Sequence, residues 1–194
     1  MKKLSNHSLA HMPQSIAVPG YDRASTGTGI VHLGPGAFHR AHQAEYTEQA
    51  MAAAGGNWRI SAVSLRSATL KRALTEQDNL YTLMVLDENP VTSVIGAVSE
   101  TLVLHDDRET VMARLSSPDT HIITLTITEK GYCLNNRGEL DLQHADIKQD
   151  LATPEAPGTA IGLLATALLL RMKANLGELT IVSCDNLPQN GNKL

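Results

Sequence analysis

The residues best suited to chemistry in this chain begin at Gly34-Pro35-Gly36-Ala37-Phe38-His39. An apolar run, Gly29-Ile30-Val31-His32-Leu33, precedes them, and an Ala-rich helical pattern follows. A glycine-rich turn from strand into helix suits a phosphate. Gly34 permits the tight turn, and Gly36 lets an anion approach the backbone where the helix presents free N–H groups. The usual fingerprint has a third glycine where this chain has His39. The pattern alone therefore leaves two readings, a dinucleotide turn or an ordinary glycine turn. The acidic residue that usually ends the second strand is missing. That strand ends Val63-Ser64-Leu65-Arg66-Ser67, where Arg66 either faces an adenosine 2′-phosphate or is an exposed arginine at a strand end.

Three further groups have suggestive spacing. His39, His42 and Glu45 recur at i, i+3 and i+6 on the first helix. A metal would need them to converge, and no third strong ligand follows at a zinc-site spacing, so histidines packed on a helix are the expectation and no metal is assigned. Glu129-Lys130 and Asp185-Asn186 follow two strand-like runs. The carboxyl ends of strands are where an open α/β sheet binds its ligand. There an Asn amide can donate to a developing alkoxide; the plain alternative for Asp185-Asn186 is an Asx turn or a helix cap.

Other chemistries are absent. The chain has no GxxxxGK[ST] and no GxSxG. No Tyr is followed by Lys four residues later. Cys133 and Cys184 form no CxxC, so a zinc ribbon is excluded and a reducing compartment is expected. Net charge is −4 and aromatic residues are 3%, which argues against a nucleic-acid partner. Residues 4–13 lack an apolar signal-peptide core, and the longest apolar run, Ile161 to Leu170, is too short to span a bilayer. A cytoplasmic protein without a membrane partner is the expectation.

The elements that must position these residues read as follows. Residues 1–28 mix Ser, Pro, Gly, Thr and His without periodicity and are expected to be an irregular lead-in. Strands are expected over 29–33, 58–65 and 80–86, within 91–104, and over 121–128 and 179–183. Helices are expected over 38–54, 68–77 with Ser67 as N-cap, about 108–115 capped by Asp106-Asp107, and 159–175. Asp87-Glu88-Asn89-Pro90 reads as a hairpin turn. Such alternation predicts an α/β fold: a doubly wound, mostly parallel sheet with an antiparallel hairpin insertion, in one domain over 29–194.

Four segments carry a family resemblance: Ile30 to Gln43, Leu125 to Tyr132, Gly138 to Asp141, and Ser183 to Gly191. Together they resemble the mannitol dehydrogenase family of long-chain polyol and sugar-acid dehydrogenases, in which the third glycine is also His. The resemblance implies a Rossmann-type domain binding NAD, with NADP also admitted, followed by a helical C-terminal domain. It implies zinc-independent hydride transfer between a small-molecule polyol or sugar acid and its keto form, of the mannitol/fructose or mannonate/fructuronate type. Residues expected at the cofactor are Gly34, Pro35, Gly36, Ala37, Phe38, His39, Arg40, Arg66, Glu129, Lys130 and Asp185. Asn186 is expected to stabilise the alkoxide. The family's general-base lysine belongs to a KxxxxNxxH segment that this sequence lacks. The helical domain is therefore expected to be a missing partner, and the 194-residue chain to be inactive alone. The rival expectation is a non-catalytic dinucleotide-binding module.

Overall fold

A computed structural model describes residues 3–194. In chain order, α1 (Asn6–Leu9) and β1 (Ile16–Ala17) precede β2 (Thr28–Leu33). Then come α2 (Ala37–Ala41), α3 (Gln43–Ala54), β3 (Arg59–Ser64) and α4 (Thr69–Thr75). β4 (Tyr81–Val85), β5 (Val91–Ile95) and β6 (Val98–Val103) lead to α5 (Arg108–Leu115) and β7 (Ile122–Leu125). A 3-10 turn (Glu129–Tyr132) is followed by α6 (Ala145–Ala152), α7 (Ala160–Lys173), β8 (Thr180–Ser183) and α8 (Asn190–Lys193).

Five strands form a wholly parallel sheet in the order β6-β3-β2-β7-β8. Numbered among themselves, that order is 3-2-1-4-5, a doubly wound nucleotide-binding arrangement. The chain builds outward from β2 to β3 and β6, then returns to add β7 and β8 on the other side. Strand order thus reverses between β2 and β7, and a crevice opens at their carboxyl ends. A second sheet, β1-β5-β4, holds the antiparallel β4–β5 hairpin, with β1 added in parallel.

Both faces of the parallel sheet are covered, which is why its central strands read as near-continuous apolar runs. On one face, Val31, Leu33, Val63, Ile123 and Leu125 pack against Val111 and Leu115 of α5 and Leu163 and Ala167 of α7. On the other, Ile60, Ala62 and Val98 meet Ala44 and Met51 of α3 and Ile95 of β5. Helix α7 is fixed at its start by Thr159, whose hydroxyl accepts from Gly162 N at 2.9 Å. Buried Asp150 of α6 in turn accepts from Gly158 N at 2.7 Å and Thr159 N at 3.1 Å.

Several expectations are corrected. The run 91–104 is two strands in two different sheets, split at Gly96-Ala97, where Gly96 N donates to the buried Glu48 carboxylate at 2.6 Å. The helix expected over 38–54 breaks at His42, whose φ of −125° and ψ of −73° end α2 and start α3. Asp107 does not cap α5 with its side chain; its carboxylate accepts from Val103 N and Lys71 Nζ, each at 2.7 Å. Strand β7 stops at Leu125, not Thr128. Helix α6 was not foreseen, and neither were α1 and β1, which lie within the stretch read as irregular. Among the described residues, no helix is long and apolar enough to cross a membrane.

Candidate functional site

The glycine turn leaves the carboxyl end of β2, beside the ends of β3 and β7. Gly34 has φ +92°, and a Cβ there would lie 2.4 Å from Thr126 O, so the position admits only glycine. Its carbonyl accepts two bonds, from Gly36 N at 2.6 Å and from Thr126 Oγ1 at 2.7 Å. Gly36 differs. Its φ is −74°, and a Cβ there would meet only Gly34 O, at 3.8 Å. The space above Gly36 is open. Gly36 is also the N-cap residue of α2 and supplies no side-chain cap, so the first-turn N–H groups of Ala37 and Phe38 are left for another acceptor. Arg40 folds back, its Nη1 donating to Pro35 O at 2.8 Å, which braces the turn from below.

A cleft of about 480 Å³ runs from Gly34, Pro35, Gly36 and Arg40 to Ser64, Leu65 and Arg66 at the end of β3. Arg66 is exposed there, and the cleft's lining contains no carboxylate. A neighbouring cavity of about 550 Å³ is lined by Phe38, Thr126, Cys184, Asp185 and Asn186. Phe38 and Asn186 are exposed at it. The turn from Gly34 to Phe38 separates these two spaces and contributes to both.

Asp185 is held rather than free. Its Oδ2 accepts from Tyr132 OH at 2.6 Å. Ser183 Oγ lies 2.6 Å from the same phenol oxygen, and since the phenol proton goes to the carboxylate, Ser183 donates there. Burial pushes the Asp185 carboxyl above its usual range. Burial and the bond to Asp185 push the Tyr132 phenol up to about 12. The Cys184 thiol is raised by burial too, while Gln43 Nε2 donates to its sulfur at 3.0 Å.

Two sequence expectations move. Glu129 and Lys130 are not at the end of β7 but in the 3-10 turn beyond it, and they line a separate cavity of about 800 Å³ with Asn135, Arg137 and His144. Thr126 N–H makes the last bond of the ladder, to Leu33 O at 3.0 Å, and its hydroxyl turns to Gly34. His39 is 1% exposed and faces inward, its ring stacked on His32 of β2 at 3.6 Å and 13°. The third fingerprint glycine ordinarily allows close packing of helix on strand; here a flat imidazole lying on a second imidazole fills that contact. His42 instead leans on Phe38, with ring centroids 4.7 Å apart, so His39 and His42 do not converge.

Sequence reasoning missed His32 and Thr126. Burial pushes the His32 ring down to about 3. Burial, and then the neighbouring His32 and Arg40, push His39 down to about 2. Both are neutral at physiological pH. No local signal marks His32 or Thr126: Thr124 in β7 and Thr126 just past its end reach the His32 ring only through the pairing of β2 with β7.

A model of the mannitol dehydrogenase Rossmann domain matches residues 28–194. The chain belongs to the mannitol dehydrogenase family. Within that family it is 41% identical to mannitol 2-dehydrogenase of Phaeosphaeria nodorum, over 97% of this chain and 34% of that protein. It is 40% identical to mannitol 2-dehydrogenase of Cereibacter sphaeroides, over 93% of this chain and 39% of that one. The solved mannitol 2-dehydrogenase of Pseudomonas fluorescens, a ternary complex with NAD and D-mannitol, superposes with a TM-score of 0.93 at 39% identity, over 99% of this chain and 40% of that chain. A substrate-free D-sorbitol dehydrogenase superposes with a TM-score of 0.91 at 36% identity, over 98% and 40%. The chain thus spans between a third and two-fifths of the length of these mannitol dehydrogenase relatives.

Proposed function

We propose that this chain is the cofactor-binding portion of an NAD-dependent oxidoreductase that interconverts a polyol or sugar acid and its keto form. The carrying observation is the glycine turn at the β2/β7 switch point, with uncapped N–H groups of Ala37 and Phe38 above an open Gly36. Those two N–H groups, which favour negative charge, would hold the pyrophosphate. Gly34, Pro35 and Arg40 shape the turn beneath it, and His39 supports it from the core. The cleft running to Arg66 would hold the adenosine half. The family relative with NAD favours NAD as the coenzyme; Arg66 and the carboxylate-free lining leave NADP admissible.

A bound nicotinamide would supply or accept the hydride, and Phe38, Thr126, Cys184, Asp185 and Asn186 line the cavity that would hold its ring. Phe38 offers an apolar wall. Asp185, tied to Tyr132, orders the segment that presents Asn186. The Asn186 amide donates to the substrate oxygen as it gains negative charge, an interaction strongest in the transition state. No side chain of this cavity is a free base: Asp185 is already bonded, and Lys130 lines the other cavity. The acid–base step belongs to a partner helical domain, as the resemblance implies. Residues 29–194 act as one dinucleotide-binding domain, and the two free cysteines fit a reducing, cytoplasmic setting.

The test is calorimetric titration of the chain with NADH and NADPH. Saturable binding that Gly36→Val weakens in a folded protein supports the reading. Absence of binding by the wild-type chain, or affinity unchanged by Gly36→Val, refutes it.

A further inference from the structure

A turn built on glycine has cheap alternative conformations, so something must hold this one in the shape that leaves Ala37 and Phe38 N–H exposed. The structure shows what does. Thr126 Oγ1 lies 2.7 Å from Gly34 O and 2.8 Å from His32 Nε2. A carbonyl cannot donate, so the single hydroxyl proton of Thr126 goes to Gly34 O. Toward His32, Thr126 must therefore accept, and Nε2 must carry the ring proton. A neutral imidazole then has Nδ1 as acceptor, and Thr124 Oγ1 sits 2.7 Å from it, placed to donate. Thr124, His32, Thr126 and Gly34 form one directed chain of hydrogen bonds running across β7 and β2 to the turn. His32 is wholly buried, and the flat ring of His39 closes its open face.

We propose that His32 and Thr126 are positioning residues for the dinucleotide turn, with His32 fixed as its Nε2–H tautomer so that the Thr126 hydroxyl points at Gly34. This role rests on the dinucleotide reading given above. Without the Thr126 hydroxyl, Gly34 O keeps only its bond from Gly36 N. The peptide between Gly34 and Pro35 is then held by that one bond and more readily swings its carbonyl toward the place where the anion must sit. A carbonyl oxygen there repels phosphate. Thr126 also lines the cavity of Phe38 and Asn186, so the same residue latches the two halves of the site together.

The experiment has two arms on the 194-residue chain. In the first, 15N NMR of the wild-type imidazoles without cofactor reads the His32 tautomer; Nε2–H is expected, unchanged between pH 8 and 5. In the second, NADH affinity is measured well below the melting temperature for wild type, Thr126→Val and Thr126→Ser. Loss of one net hydrogen bond predicts about a threefold to tenfold weaker Kd for Thr126→Val, with Thr126→Ser within about twofold of wild type. A merely structural threonine would lower the melting temperature and leave the affinity of the folded protein unchanged. An Nδ1–H tautomer at His32 overturns the proposal, as does wild-type affinity in folded Thr126→Val. A wild-type chain that binds no NADH overturns the dinucleotide reading and this role with it. Binding that Thr126→Val leaves intact overturns this role alone.

Discussion

Gly34 and Gly36 should answer the same substitution in opposite ways. At Gly34, alanine places a Cβ 2.4 Å from Thr126 O and 2.9 Å from Thr126 C, with φ at +92°. Holding a side chain in that backbone region costs about 1–2 kcal/mol. The contact partner is the backbone where β7 ends, which cannot rotate away, so about 1 Å of separation must be opened by moving one strand end. Overpacking of that kind costs about 1–3 kcal/mol. Together the loss is about 2–5 kcal/mol, a drop of roughly 4–20 °C in melting temperature for a chain of this length. At Gly36 the backbone is ordinary and the nearest atom to a Cβ is 3.8 Å away. Alanine there should leave stability within about 1 kcal/mol of wild type, because the gain from a less flexible unfolded chain is of that order. Urea unfolding of the two variants beside wild type is the assay, with NADH titration of each folded protein as its companion. Gly34→Ala should be the unstable one. Gly36→Ala should be stable, with dinucleotide affinity reduced by the methyl group beneath the phosphate. A Gly34→Ala protein within about 0.5 kcal/mol of wild type would refute the packing argument. A Gly36→Ala protein that lost more than about 2 kcal/mol would show that the space above Gly36 is structural and not a ligand's.

Other outcomes follow from the same geometry. His32 and His39 are buried and neutral, pushed down to about 3 and 2, while the unfolded chain protonates its histidines below about 6.5. Stability is therefore fully present above that pH and lost as pH falls through the window; each ring should remove roughly 2 kcal/mol between pH 7 and 5. Urea midpoints at the two pH values check this, and a flat profile sinks it. Arg66→Ala should weaken NADPH binding about tenfold or more, as loss of a charge-assisted bond does, while NADH affinity holds; equal loss for both coenzymes would remove Arg66 from the 2′-phosphate. The chain incubated with NAD and mannitol, arabinitol or mannonate should show no appreciable turnover, since Asn186 has no free base beside it. Turnover near the ~10 s⁻¹ typical of enzymes would place a base within these residues, and Lys130 would be the first to substitute.

Much of this fold was legible because parallel strands covered on both faces leave plain apolar runs, as at Ile30 to Leu33 and Ile60 to Val63. The glycine turn was legible from its place between strand and helix. What escaped the sequence depends on partners distant in the chain. Gly96 looks like any glycine in a β-rich run until Glu48, 48 residues earlier, takes its N–H and splits the run into two sheets. Leu125-Thr126-Ile127-Thr128 keeps a strand's composition past the point where the Thr126 hydroxyl turns to Gly34, which is why the sequence predicts a strand running on to Glu129 and Lys130. His32 sits in an apolar strand with nothing local to mark it. Only the pairing of β2 with β7 brings its two threonines within reach.

That pairing also has a consequence for how the chain is made. The central strand of the sheet, β2, is made well before its partner: Ile30 pairs with Ile122, roughly 90 positions later. At ~5–20 residues per second, roughly 5–18 s of translation pass between the two. During that time β2 can join β3, but its other edge stays unpaired, and the buried surfaces of Val31 and Leu33 wait for helices α5 and α7. A nascent chain of this design carries an open strand edge until β7 emerges, and an uncovered apolar face until α5 and α7 do. It would lean on holding chaperones longest at the very strand that later anchors the turn.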